Sequence, residues 1–315
     1  MSRAAALRRA AIRATLATSI MNTQPWRIEV HADRLELLAD RDRALPVIDP
    51  LGRQLTLSLG CALFNARVAV AAADVGVEVR RLPDPGRGDL VAQLRLSEVA
   101  EDDGIGDLDQ HIEGARPTQA GLRNVVIDVE VLARARAAAA AEGCRLHICD
   151  EHERVTVALR AWQAEQTVEA SPAAVAEMKA WLSSDDSRLD GVKRVATMLS
   201  VAEEAAIDEA GVREAARTEC IAVLVSPGDD AAAWIRAGEA LQRVLLELAS
   251  AGLGFGLLST PIELAETRRE ITDTLGLDGG AQLVIRIGAG GDAPPLRRRR
   301  LVDVLADHSD DVRPG

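Results

Sequence analysis

The chain has 315 residues, 48% of them hydrophobic, enough to bury the core of one large domain or of two intimate halves, and this excludes disorder as the default. A net charge of −12 and a pI near 5.0 oppose sequence-independent attraction to phosphate backbones, so no nucleic-acid partner is expected. The four Cys sit in unrelated contexts with no apolar secretory core ahead of them, which fits a cytoplasmic protein with reduced thiols, and no apolar run reaches the roughly 18 residues a membrane-spanning helix needs.

Residues 5 to 20 carry the apolar spacing of a helix that ends ahead of Pro25. Trp26, Ile28 and Val30 then alternate with polar residues as in a half-buried strand. The chain reverses at His31 to Arg34, and Leu35 and Leu37 lie on the return strand of a hairpin. Asp49-Pro50 opens the next helix, with a carboxylate that can accept orphan N–H groups and a proline that donates nothing. This helix is predicted over residues 52 to 75, closed at Gly76, with Leu55, Leu59, Ala62, Leu63 and Ala66 on its core face. Val77 to Leu82 and Leu90 to Leu96 read as strands around a Pro83-Asp84-Pro85-Gly86 turn. The acidic stretch Glu101 to Gly104 marks a boundary at about residue 104.

Beyond it the pattern predicts a helix at 128–142, a strand at 144–149 and a helix at 152–168. The segment from Ser183 to Thr218 is polar, acidic and weakly periodic, as a lid over a site or a plain surface insertion would be. Glu219 to Ser226 is a strand. Trp234, Leu241, Leu245 and Leu248 recur at helical spacing on a central helix over residues 231–251, which ends at Gly252-Leu253-Gly254. Phe255 to Ser259 leads into Thr260-Pro261-Ile262-Glu263, followed by a helix over 262–275 and a last strand from Gln282 to Gly288. Helices and strands mixed in this way give an α/β fold.

The densest chemistry lies in Ser19-Ile20-Met21-Asn22-Thr23-Gln24-Pro25-Trp26, a hydroxyl, two amides and an indole at a helix-to-strand corner. With Asp49-Pro50-Leu51-Gly52-Arg53, Ser58-Leu59-Gly60 and Ser259-Thr260-Pro261-Ile262-Glu263, it resembles the nitroreductase-like flavoproteins and, within them, the Acg-like actinobacterial branch. Looser matches near Arg116, Arg286 and Arg297 to Arg300 extend the likeness over almost the whole chain.

The resemblance implies an α/β (α+β) fold of the nitroreductase type, a helix-flanked and largely antiparallel sheet. It implies two fused half-subunits, residues 1–104 and 105–315, imitating the family dimer within one chain. The monomer would then be pseudo-dimeric, with a homodimer of such chains also open. It further implies FMN as cofactor, NAD(P)H as co-substrate and a small-molecule electron acceptor of the nitroaromatic or quinone type. FMN asks a protein for positive charge or N–H donors at its phosphate, polar partners at its pyrimidine edge and a donor near N5.

By the same resemblance Ser19 and Asn22 lie along the phosphate or ring, Gln24 holds the corner, and Pro25 and Trp26 are structural. Arg116 and Thr118 hold the phosphate. Thr260, Pro261, Ile262 and Glu263 pass the ring, with the Glu263 backbone amide at N5. Arg299 and Arg300 are the best-placed C-terminal basic residues. Two positions depart from the family pattern: Thr18 stands where Pro is usual, and Ala120 stands where a basic residue usually reaches the flavin. The second removes a charged hydrogen bond worth roughly 1.5 to 3 kcal/mol.

Two rival readings stay open, a non-catalytic protein that sequesters flavin under a lid and a degenerate homologue that has lost FMN. Cys144-x-x-His147-x-Cys149-x-x-His152 has zinc-ligand types, yet alternation along a strand keeps the four from converging. Gly252-Leu253-Gly254-Phe255-Gly256 follows a helix, the wrong context for a dinucleotide fingerprint.

Overall fold

The computed structural model describes residues 1–99, 104–117, 122–182, 208–290 and 296–309. Helix α1 (Arg3–Ala14) is capped by the Ser2 hydroxyl, which accepts from Ala5 N at 3.2 Å, and buries Leu7, Ala10, Ala11 and Ala14. It stops six residues short of the predicted end. There the Thr15 hydroxyl donates to Ile12 O at 2.7 Å, and the Arg298 guanidinium takes the carbonyls of Leu16 and Ala17, both at 2.8 Å.

Strands β1 (Trp26–Val30) and β2 (Arg34–Ala39) form the expected antiparallel hairpin. Helix α2 (Arg53–Ala71) begins at Gly52, whose φ of 67° suits a residue without Cβ. The Asp49 carboxylate accepts from Gln54 N at 3.1 Å and Leu55 N at 2.8 Å, doing the capping expected of it from just outside the helix. Among described helices α2 alone is long and apolar enough to cross a membrane, and 83% of its apolar window is buried inside the fold. Strands β3 (Val77–Arg81) and β4 (Leu90–Leu96) extend this first sheet in the order β3-β4-β2-β1, to which a fifth strand is added from the C-terminal segment.

The second sheet, ordered β5-β6-β8-β7, comprises β5 (Arg145–Ile148), β6 (Cys220–Ser226), β7 (Leu253–Leu258) and β8 (Gly280–Ala289). All its pairings are antiparallel. Helix α3 (Val129–Ala141) precedes β5. Helices α4 (Glu151–Glu169), α5 (Pro172–Leu182) and α6 (Glu209–Ala216) follow it, and α7 (Ala231–Ser250) joins β6 to β7. The helix predicted over 262–275 is two pieces, α8 (Thr260–Glu263) and α9 (Ala265–Thr274), because Leu264 turns to extended geometry with ψ of 111°. Of the segment expected as a lid, residues 183–207 lie outside the described residues; the remainder contains α6, packed on α4.

Strand β9 (Leu305–Asp307) crosses back and pairs with β1, the single parallel pairing among the described strands. The observed class is therefore the expected one, helices around largely antiparallel sheets, with two sheets rather than one. A continuous core runs from α1, β1 and α2 through α7 to β8. A buried ion network also ties the two sheets' helices: Glu239 on α7, fully buried, accepts from Arg67 at 2.8 Å and Arg81 at 2.6 Å, and Glu142 accepts from Arg67 and Arg243.

Candidate functional site

Between α1 and β1 the chain makes a short 3₁₀ turn at Ile20–Asn22 in which Met21, Asn22 and Gln24 all have positive φ, at 44°, 54° and 48°. Non-glycine residues held there cost on the order of 1–3 kcal/mol each and collect at functional sites. The strain is held by surrounding bonds. Ser19 Oγ accepts from Gln24 N at 3.0 Å and Ser58 Oγ from Ile20 N at 3.1 Å. Asn22 Nδ2 donates to Arg297 O at 2.9 Å, and Arg299 N donates to Gln24 Oε1 at 2.9 Å. The C-terminal segment is thus sewn onto the corner, and Asn22 Oδ1, buried, has no partner.

This corner is one wall of a cavity of about 530 Å³. Thr18, Ser19 and Asn22 face Gln54, Leu57 and Ser58 of α2, while Gly256, Leu257 and Leu258 of β7 run on into Ser259, Thr260 and Glu263. The cover comes from α4 and α5, through Glu165, Val168, Ala174 and Met178. Two clasps hold α5 in place. Glu177 accepts from Val47 N at 3.1 Å and Ile48 N at 2.8 Å, and Trp181 Nε1 donates to Met21 O at 3.0 Å with Arg43 over its ring.

The expected site residues are only partly gathered. Ser19, Asn22, Thr260 and Glu263 line the cavity; Gln24 lies behind it as the corner's brace, and Pro261 and Ile262 are buried beneath the turn. The N–H groups of Ile262 and Glu263 both donate to Ser259 O, at 2.8 and 3.1 Å, so they close the turn. The Glu263 carboxylate is ion-paired with Arg53, which is itself buried and also donates to Gln282 O. Burial lowers the Arg53 pKa and raises that of Glu263, with Arg53 opposing the second shift. Thr118 and Ala120 lie outside the described residues.

Of the arginine run, Arg299 is tied to Asp40 at 3.0 Å and to the carbonyls of Gln24 and Trp26, and Arg300 is exposed and paired with Asp303. Arg286, on β8, is buried in an ion pair with Glu219. Arg298 is the residue that residue-by-residue matching missed. Its guanidinium faces the end of α1 and, among described residues, has no acidic partner; burial and the charge of Arg116 lower its pKa to about 10. Arg116 likewise has no ion pair among described residues, and its neighbour Pro117 lines the cavity, as does Leu296. Two cations brought together without a carboxylate suit an anionic group.

The ligand atoms of His147, Cys149 and Glu153 lie within 4.8 Å of one another, without Cys144 or His152. Glu153 is already used: it closes the capping box of α4 by accepting from Asp150 N at 2.8 Å and bonds His147 at 2.9 Å.

The family model described as "Nitroreductase family" matches residues 119–290, more than half of the chain. The chain belongs to that family. Two Mycobacterium tuberculosis relatives extend the likeness beyond the matched region. "Putative NAD(P)H nitroreductase Rv3131" is 27% identical over 321 residues, 93% of this chain and 88% of its own length. "Putative NAD(P)H nitroreductase acg" is 25% identical over 310 residues, 91% of each chain, which agrees with the Acg-like branch its motifs resemble. The crystal structure of a putative nitroreductase from Anabaena variabilis superposes with a TM-score of 0.54 at 10% identity, over 91% of this chain and 88% of that one. This nitroreductase-family fold therefore spans both sheets. Within it, the Asn-Thr-Gln-Pro-Trp corner and the β7–α8 turn line one cavity, although they are more than 200 residues apart in sequence, and the C-terminal arginine segment is hydrogen-bonded to the corner.

Proposed function

We propose that the protein is an FMN-dependent oxidoreductase that passes electrons from NAD(P)H to a small nitroaromatic or quinone-type acceptor. The observation that carries this reading is one cavity lined by the Ser19–Asn22 corner, α2 and the Thr260–Glu263 turn, whose wall holds the unpartnered Asn22 Oδ1. The donor set fits FMN. Arg116 and Arg298 would hold the phosphate, Asn22 Oδ1 would accept from a ring or ribityl donor, and Leu57, Leu241, Leu257 and Leu283 would pack on apolar ring edges. When bound, FMN supplies two-electron chemistry that no side chain here offers. The chain's own residues bind it, keep it oriented and, through α4 and α5, shield one side of it from water.

The test is the visible spectrum of the purified protein before and after incubation with FMN and desalting. Retained flavin absorbance that NADH or NADPH bleaches, and that a quinone restores, supports the proposal. A colourless protein that retains no FMN refutes it and favours the degenerate homologue marked by Ala120.

A second reading is favoured by the clasped position of α5 over the cavity: flavin sequestration, with nicotinamide kept out. Bound flavin that dithionite bleaches but NAD(P)H does not would decide for it.

A further inference from the structure

Two carboxyl groups line the cavity, and they are not equivalent. Glu263 is neutralised by Arg53. Glu165, near the C-terminal end of α4, has no basic partner among described residues, and Thr260, the first residue of α8, lines the same cavity. Burial raises the Glu165 pKa, Thr260 opposes the shift, and Glu169 one turn further along α4 adds to it. Several charged groups on the elements packed against α4 are already paired. Glu270 on α9 holds Arg160 at 2.9 Å, Arg213 on α6 holds Glu209, and Glu177 on α5 is taken by the Val47 and Ile48 amides.

We propose that Glu165 is the acid that protonates the acceptor. Its carboxyl lines the cavity cover beside Thr260, without a basic partner among described residues, next to the space an acceptor would enter. This rests on the oxidoreductase reading above. As a quinone gains a hydride equivalent derived from NAD(P)H, one oxygen takes the Glu165 proton: an O–H bond forms on the acceptor and the carboxyl O–H bond breaks. The carboxylate then recovers a proton from water.

The experiment compares wild type with E165Q, each loaded with FMN and reduced by dithionite, in stopped-flow reoxidation by menadione and by ferricyanide. Menadione must be protonated to complete its reduction; ferricyanide takes electrons alone. E165Q should reoxidise with menadione about a hundredfold more slowly, the lower end of the usual general-acid contribution, and with ferricyanide at the wild-type rate. Wild-type oxidation by menadione should fall as pH rises through the elevated Glu165 pKa, and this dependence should vanish in E165Q. Equal menadione rates in the two proteins, or a flat wild-type pH profile, overturn the proposal while leaving the flavin reading intact. A parallel loss with both acceptors overturns it in favour of a positioning role. Failure of wild type to retain FMN overturns both readings together. If E165Q does not fold, the wild-type pH profile with the two acceptors decides alone.

Discussion

Gly60 of α2 and Gly238 of α7 sit face to face where the two helices cross. A Cβ on Gly60 would lie 2.2 Å from Ile235 O, and one on Gly238 would lie 2.0 Å from Leu57 O. Neither has a positive φ, so the requirement is closeness and not backbone freedom. The obstructing atoms are backbone of the opposite helix and cannot rotate away. G60A and G238A should each destabilise the protein by about 3 kcal/mol or more, the upper range for overpacking. G88A, with open space around its Cβ, should be nearly neutral. Urea unfolding of the three variants checks this.

Glu239 should be similarly intolerant. It is fully buried and answers Arg67 and Arg81, so E239Q leaves charge uncompensated in the interface between the sheets and should cost about 3–5 kcal/mol. E239Q combined with R81M should recover part of the loss in denaturant unfolding.

The same network predicts a pH dependence. Burial would raise the Glu142 pKa, but the Arg67 and Arg243 guanidiniums outweigh it and hold the carboxyl below its ordinary value. A carboxylate with a depressed folded-state pKa stabilises above its unfolded value, about 4.3, and loses that contribution as pH falls through the folded one. The stability gap between wild type and E142Q should be full at pH 7 and shrink steadily below about pH 4, as read from thermal melts across that range.

If Arg298 holds the phosphate as proposed, R298Q should weaken FMN about ten- to a hundredfold and leave riboflavin unchanged. FMN should raise the wild-type melting temperature more than riboflavin does, and R298Q should erase the difference. R286M should instead destabilise the folded protein through the stranded Glu219, with FMN affinity retained at temperatures where it stays folded.

The clasps on α5 should govern how fast flavin leaves. W181F removes the bond to Met21 O, and E177Q weakens the acceptor of the Val47 and Ile48 amides. Each should speed FMN release several-fold, and the pair should do so more than either. Apoflavodoxin trapping of released FMN measures the rate.

Most of the fold could be read from periodicity. The β1–β2 hairpin, α2, β6, α7 and β8 are long apolar segments whose spacing admits one solution, and their observed bounds lie within a few residues of those expected. The arginine run shows where such reading stops. Arg297 to Arg300 are chemically identical and adjacent, so their roles depend on where the segment docks: Arg298 meets the carbonyls of α1, Arg299 meets Gln24 and Asp40, and Arg300 meets Asp303. The left-handed backbone at Met21 and Gln24 was equally hidden, since neither residue type favours it and only the bonds from Ser19, Ser58 and the C-terminal segment impose it. The α5 cover escaped notice because its apolar residues face a cavity that exists only once distant segments have assembled.

The stitching of residues 297–307 onto the corner and β1 sets an order for biosynthesis. The corner emerges from the ribosome some 270 residues ahead of the carbonyl that receives Asn22, the amide that answers Gln24 and the strand that flanks β1. A nascent chain halted before them has most of both sheets but an unbraced turn. On the flavin reading, competence to take up a cofactor therefore waits for residues 297–307, and products truncated before them should remain colourless even where they are folded.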